Sequence, residues 1–329
     1  MYRYTTICLL LLTTLALVSA TSIKSNTNTC RAITFSGAGD RGAYEVGVAA
    51  GLVSIRTPEE SRWQVATGIS AGAINTAGMA MYSVGQEQAA TKFLVDTWLA
   101  TTRDQIWKNW AGGPTEGFLF QQGLLDDAPL LTFLNGLFNQ TEVDASNRTI
   151  LVGATSYDTG LFVKFSDMLD PDIVLMVKAS ASIPGLFEPT NIRGELFMDG
   201  GATYATPVTD TAELCAQTGA ENTIIDAIIV GKPIKAENNT AWKTPSLMMR
   251  AADIVKHNMF MKDIETAFQA YPNILINLYY PSQPLPGDFL GFQYSQEMIT
   301  IGLKDATSES PSMVTVHSGN YKEVIATLI

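Results

Sequence analysis

From residue 31 onward, short apolar runs alternate with longer stretches of helix-like spacing. Arg31 to Ser36 reads as a buried strand that runs into a glycine loop, Gly37-Ala38-Gly39-Asp40-Arg41-Gly42, and Ala43 to Ile55 then has the pattern of a helix. Gln64 to Thr67 reads as a second strand. The turn Gly68-Ile69-Ser70-Ala71-Gly72 follows it, and Ala71 to Ser83 is a helix of small residues. This strand–helix alternation predicts a parallel sheet with helices on its faces. Residues 86–110 read as helical and carry Trp98, Trp107 and Trp110; a glycine-rich break is expected over 111–117 and a helix over 127–138. Strands are expected at Thr149–Thr155, Leu161–Phe165, Thr223–Val230 and Ile274–Tyr280, and helices at Asp172–Ala181 and Ser246–Tyr271.

The first twenty residues stand outside this pattern. Arg3 precedes an apolar and threonine-rich stretch from Ile7 to Val18, and Val18-Ser19-Ala20 supplies the small residues of a cleavage site. A bilayer span needs about 20 apolar residues, so the stretch predicts a signal peptide over 1–20. The expected destination is secretion or a lumen of the secretory or endolysosomal pathway. No repeat or linker interrupts residues 21–329, which predicts one domain: a motif-bearing core over 31–231 and a less distinctive part over 232–329. On that route Asn139, Asn147 and Asn238, each opening an Asn-x-Thr triplet, become candidate glycosylation sites. Cys30 and Cys215 remain after cleavage. They either pair with each other or stay as buried free thiols.

Net charge is −11, which argues against a nucleic-acid partner and against electrostatic docking on anionic membranes. Membrane contact would have to be apolar. No metal-ligand cluster or calcium loop appears, so neither metal nor cofactor is expected, and no protein partner is readable.

Three segments carry candidate chemistry. Gly37 to Gly42 fits G-x-G-x-x-G after a strand, which suits a dinucleotide, an oxyanion or simply a tight strand–helix turn. Gly68-Ile69-Ser70-Ala71-Gly72 fits G-x-S-x-G, the turn that exposes a nucleophilic serine between strand and helix. The alternative there is a small-residue helix start chosen for close packing. Asp199-Gly200-Gly201 places a carboxylate before two glycines, either as a base for Ser70 or as an Asx turn.

Together these segments resemble the patatin-like phospholipases, which combine a glycine-rich oxyanion loop, G-x-S-x-G about thirty residues later, and Asp-Gly-Gly or Asp-Gly-Ala. Ala179 to Pro189, Gly123 to Leu130 and Thr159-Gly160 are also similar to that family, over about residues 31–231. Ala38 departs from it, standing where the family usually has glycine. The resemblance implies a three-layer α/β/α sandwich around a mostly parallel central sheet, and a hydrolase that cleaves acyl esters of glycerolipids at a membrane or micelle surface. It implies Ser70 as nucleophile, Asp199 as base and the amides of Gly37, Ala38, Gly39, Asp40, Arg41 and Gly42 as oxyanion hole, with Gly68, Gly72, Gly200 and Gly201 shaping the motifs. A serine needs such a base within hydrogen-bond reach, and a carboxylate needs burial to serve as one.

Other readings compete. An α/β-hydrolase triad would add a histidine, and the chain has two, His257 and His317; His317 is the better placed, at an expected strand end. The glycine loop alone would suit a nicotinamide enzyme. A non-catalytic storage or binding glycoprotein could keep the same fold. Finally, Trp98, Trp107, Trp110, Phe118, Leu119 and Phe120 cluster around Gly112-Gly113-Pro114 and form either a lipid-admitting lid or core.

Overall fold

The computed structural model describes residues 28–165, 172–231, 243–287 and 290–328. The expected signal segment 1–20 and Asn238 lie outside the described residues. The chain opens with β1 (Thr29–Phe35), a 3-10 turn at Gly39–Arg41, α1 (Gly42–Ile55), β2 (Val65–Gly68) and α2 (Ala71–Ala80). Then come α3 (Glu87–Ala100), α4 (Arg103–Ile106), α5 (Gly113–Phe120), α6 (Ala128–Leu137), α7 (Gln140–Ala145), β3 (Thr149–Ser156) and β4 (Phe162–Lys164). α8 (Ile173–Ser180) leads into the hairpin of β5 (Thr190–Ile192) and β6 (Glu195–Asp199), followed by α9 (Val208–Gln217) and β7 (Asn222–Ile228). The described chain closes with α10 (Thr244–Ala270), β8 (Ile274–Tyr279), α11 (Ser295–Thr307), β9 (Met313–His317) and α12 (Tyr321–Leu328).

Among the described residues one nine-stranded sheet runs β5-β6-β3-β2-β1-β7-β8-β9, with β4 also paired to β3. Strands β3, β2, β1, β7 and β8 are mutually parallel, whereas β9, β4 and β6 run antiparallel to their neighbours. Alternation along β1 builds both faces: Cys30 and Ala32 enter one core, and Ile33 and Phe35 enter the other. The Ile33 side is covered by α1, α2, α3, α8 and α11, and the Cys30 side by α9, α10 and α12. This is the three-layer α/β/α arrangement. A bond between the Cys30 and Cys215 sulfurs ties β1 to α9 across 185 residues.

Two expectations are corrected. Residues 86–110 are not one helix: α3 stops at Ala100, and Thr102 and Gln105 form a capping box that starts α4. The expected break over 111–117 is largely α5, which Pro114 opens from the first turn, where its missing N–H is tolerated. The aromatics of this region also divide. Trp98 is core, Trp107 packs partly against the core, and Phe118, Leu119 and Phe120 are exposed.

Beneath the sheet's carboxyl edge lies a buried polar knot. The Glu45 carboxylate of α1 accepts from the Ser36 N–H (2.7 Å) and hydroxyl (2.9 Å) and from Asn75 Nδ2 of α2 (3.0 Å). Asn75 Oδ1 in turn accepts from Trp98 Nε1 (2.8 Å). Burial pushes the Glu45 pKa well up, against the opposing pull of Ser36 and Asn75. Truncating this side chain would strand three buried donors, each worth about 1–3 kcal/mol. Glu45→Ala is therefore expected to cost at least about 3 kcal/mol, read as a lower urea midpoint at unchanged slope. A loss below 1 kcal/mol would show that water replaces the carboxylate.

Candidate active site

Ser70 sits between β2 and α2 with φ 59° and ψ −124°, a region that non-glycine residues rarely occupy. Glycines make the turn possible by letting backbones touch. A Cβ on Gly72 would lie 2.6 Å from the Phe35 carbonyl oxygen and 2.7 Å from that of Ser36, and one on Gly68 only 2.2 Å from the Gly72 oxygen. The Ser70 N–H donates to Ser180 Oγ (3.0 Å), whose own hydroxyl donates to the Gly153 carbonyl (2.6 Å). The serine thus stands at the start of α2, where the helix dipole is positive.

Asp199 ends β6. Its N–H donates to the Ser182 carbonyl (2.8 Å), and its Oδ1 accepts from the Gly201 N–H (2.7 Å). Gly200 packs on the Gly153 carbonyl and Ile69, so a Cβ there would lie 2.6 Å from that oxygen. Ser70 and Asp199 line the same cleft, and each residue is 6% exposed. Burial raises the Asp199 pKa above 3.8; Ser70, the Gly201 N–H and the Lys256 ammonium pull it back down.

The glycine loop lies beside both. Three of its six amides are already engaged: Gly37 N–H with the Ala205 carbonyl (3.2 Å), Arg41 N–H with the Ala38 carbonyl (3.2 Å), and Gly42 N–H with the Asp40 and Gly39 carbonyls. Among the described residues the Ala38, Gly39 and Asp40 amides have no acceptor. Gly39 has φ +59°, and both Ala38 and Gly39 line a cleft with Ser70. The expected six-amide cradle therefore narrows, because the 3-10 turn consumes its carboxyl-terminal amides and Ala205 takes its first. Asp40 turns away from Ser70: its carboxylate accepts from the Gly291 and Phe292 N–H groups (3.2 Å each). Burial raises its pKa, and those two donors oppose the rise.

Two cavities meet at Ser70, Gly39 and Ile183. One is lined mainly by apolar side chains, among them Trp98, Leu130, Phe133, Phe187, Leu290 and Phe292. The other is lined by Asp199, Gly201, Gly37 to Gly39 of the glycine loop and Lys256. Neither histidine lines either cavity. His317 pairs with Leu275 near the amino end of β8, whereas Ser70 follows the carboxyl end of β2. Four strand spacings, about 19 Å, separate β9 from β2 along the sheet. His257 Nε2 on α10 is buried without a partner among the described residues, and burial lowers its pKa.

Asn139 caps α7 through its side chain and Asn147 occupies a turn at φ 55°; both are exposed. Ser180 and Lys256 are site residues that sequence reasoning did not single out. Ser180 lay within the segment quoted for the resemblance, whereas Lys256 gave no signal.

The geometry agrees with the comparisons to known proteins. The family model described as patatin-like phospholipase matches residues 33–212, more than half of the chain. No curated protein matches. Among solved structures, the crystal structure of VipD from Legionella pneumophila is similar at 12% identity, covering 88% of this chain and 68% of that one with a TM-score of 0.41.

The Asp199 carboxyl is expected to titrate above 3.8 in carbon-detected NMR, and Ser70→Ala should move it higher still by removing a group that lowers it. The native state then holds this proton more tightly than the unfolded chain does. Ionisation therefore weakens the fold as pH rises through the folded value. A titration midpoint below 3.8 would contradict the burial argument.

Proposed function

Because the chain belongs to the patatin-like phospholipase family and is a lipid acyl hydrolase, we propose that Ser70 and Asp199 alone carry its proton transfers, with no histidine. The observation that carries this reading is the pairing of Ser70 with a buried carboxylate whose pKa is raised, where two cavities meet. The Ser70 oxygen attacks the ester carbonyl carbon while Asp199 takes its proton, and the carbonyl π pair moves onto oxygen. The Ala38 and Gly39 amides hold that oxyanion. Collapse breaks the bond to the glycerol oxygen, which leaves with the proton from Asp199. Water then attacks the acyl-enzyme, again giving its proton to Asp199. The second collapse frees the fatty acid and returns the proton to Ser70. The apolar cavity suits the acyl chain and the polar cleft the leaving alcohol.

Ser70→Ala and Asp199→Asn are each expected to lose about a thousandfold or more in kcat, because members of one catalytic unit fail together. A fluorophosphonate should label Ser70 in the wild type, and His257→Ala and His317→Ala should keep near-normal turnover. A folded His317→Ala as inactive as Ser70→Ala would replace the dyad with the triad.

The same reading places the enzyme at a lipid surface. Phe118, Leu119 and Phe120 close α5 at 78%, 61% and 78% exposure. The helix rests through Gly117 on Leu124, and the adjoining Gly123 packs on the Phe187 backbone at the apolar cavity. Three adjacent exposed apolar side chains suit insertion into an interface without help from charge. We further infer a secretory route, supported by residues 1–20, the exposed Asn139 and Asn147 and the Cys30–Cys215 bond. A double Phe118→Ser, Leu119→Ser variant is expected to lose about tenfold or more on phospholipid vesicles while a soluble short-chain ester is cleaved as before. Equal losses on both substrates, with a lower Tm, would assign these side chains to stability instead.

A further inference from the structure

The polar cleft contains a cation that the reaction outlined above leaves without a task. Lys256 lies outside residues 33–212, the span matched to the family. It is carried by α10, on the stripe that continues through Phe260, Asp263, Ile264 and Ala267, all buried. Asp263 fixes that stripe: its carboxylate accepts from the Val208 N–H (2.8 Å), the Thr209 N–H (3.2 Å) and the Tyr204 hydroxyl (3.0 Å). Two helical turns earlier the same face reaches the cleft, and Lys256 lines it together with Ser70 and Asp199.

Lys92, Lys108, Lys164, Lys178 and Lys262 each form an ion pair with a carboxylate. Among the described residues Lys256 forms none and donates no hydrogen bond. It acts on Asp199 only at longer range. A half-buried lysine without a counter-ion, lining a cleft of a protein with net charge −11, is a local attractor for an anion. The cleft is the one that receives the leaving alcohol. In a glycerophospholipid, a phosphate stands a few bonds from the scissile ester on that alcohol.

We propose that Lys256 is a specificity-determining residue that binds the phosphate on the leaving-group side of the lipid, so that the enzyme prefers phosphodiester glycerolipids to neutral ones. This rests on the reading of Ser70 as the reacting serine. A charge-assisted contact of this kind at a partly exposed position is worth about tenfold.

Two measurements test it. The first is the ratio of kcat/KM for dihexanoylphosphatidylcholine to that for dihexanoylglycerol, both below their aggregation limits. Lys256→Gln is expected to lower this ratio about tenfold, and Lys256→Arg to restore most of it. An unchanged ratio overturns the proposal. If the variant's only effect is an upward shift of the acid limb on both substrates, Lys256 is a positioning residue acting through Asp199, and the proposal also fails. The second is calorimetric titration of Ser70→Ala with the same two lipids and with inorganic phosphate. The phosphatidylcholine should bind about tenfold more tightly than the diglyceride, and Lys256→Gln in that background should erase the difference. Inorganic phosphate binding as tightly as the lipid would make this a free-anion site and overturn the lipid assignment. The binding arm needs no turnover. A preserved binding preference in a protein that hydrolyses neither ester would sink the catalytic reading and leave Lys256 a phosphate-binding residue alone, whereas efficient hydrolysis with no preference would sink this proposal and spare the catalytic reading.

Discussion

Backbone is pressed against backbone where β2 turns into α2, and the site's geometry follows from that contact. Ser70 is held at φ 59°, a conformation that costs about 1–3 kcal/mol and persists only where surroundings over-determine it. Here they do. Gly72 lies on the carbonyls of Phe35 and Ser36, Gly68 lies on Gly72, and Ser180 grips the Ser70 amide. Because Gly72 touches the end of β1, the serine's position is referenced to the strand that leads into the glycine loop. Ser70 and the glycine-loop amides are thus set against one another by main-chain contact, not by side chains free to choose rotamers.

The polar knot around Glu45 extends that constraint outward. It holds Ser36 at the end of β1 and Asn75 on α2, and through Asn75 it holds the Trp98 indole. Trp98 lines the apolar cavity and stacks on Phe292, with ring centroids 6.2 Å apart. Asp40 reaches the same place from the other side, binding the amides of Gly291 and Phe292. Residues of the glycine loop and of the chain just before α11 therefore meet at the wall of one cavity. The Asp40 carboxylate, inside the loop, fastens the loop to the wall of the apolar cavity.

What the sequence made legible was local. Strand, glycine loop, strand, turn and helix over residues 31–83 follow from short-range patterning and from glycines whose steric demand lies within a few residues. The hairpin β5–β6 lies outside the expected elements, since strands of three and five residues owe their existence to packing partners far along the chain. The helix expected over 86–110 overran because apolar spacing continues past Thr101, while the capping box that restarts the chain at Thr102 is a two-residue signal. His317 looked serviceable as a strand-end residue. Only strand order and direction, β9 being antiparallel at the far edge, reveal that it lies at the opposite end of the sheet from Ser70. Lys256 was silent for the same reason, because a lysine in a helix acquires meaning only from what its helix faces.

The base role proposed for Asp199 requires burial and positive surroundings to coexist. An ordinary carboxylate is too weak a base to take a proton from a serine, and desolvation strengthens it by disfavouring its charge. Desolvation without limit would leave the group protonated and useless as a base at neutral pH. The Ser70 hydroxyl, the Gly201 amide and the Lys256 ammonium oppose it. These three are not equivalent during a reaction cycle. In the proposed transfer the Ser70 hydroxyl gives up its proton, so it favours the carboxylate before the step and not after. The Gly201 amide is fixed by the Asp-Gly-Gly turn and acts throughout. Lys256 lies in the open cleft, where a bound anion would occupy it and weaken its hold on Asp199. On the proposed mechanism, the strength of Asp199 as a base would thus be set by one contribution that vanishes with the step, one that is permanent and one that answers to what fills the cleft.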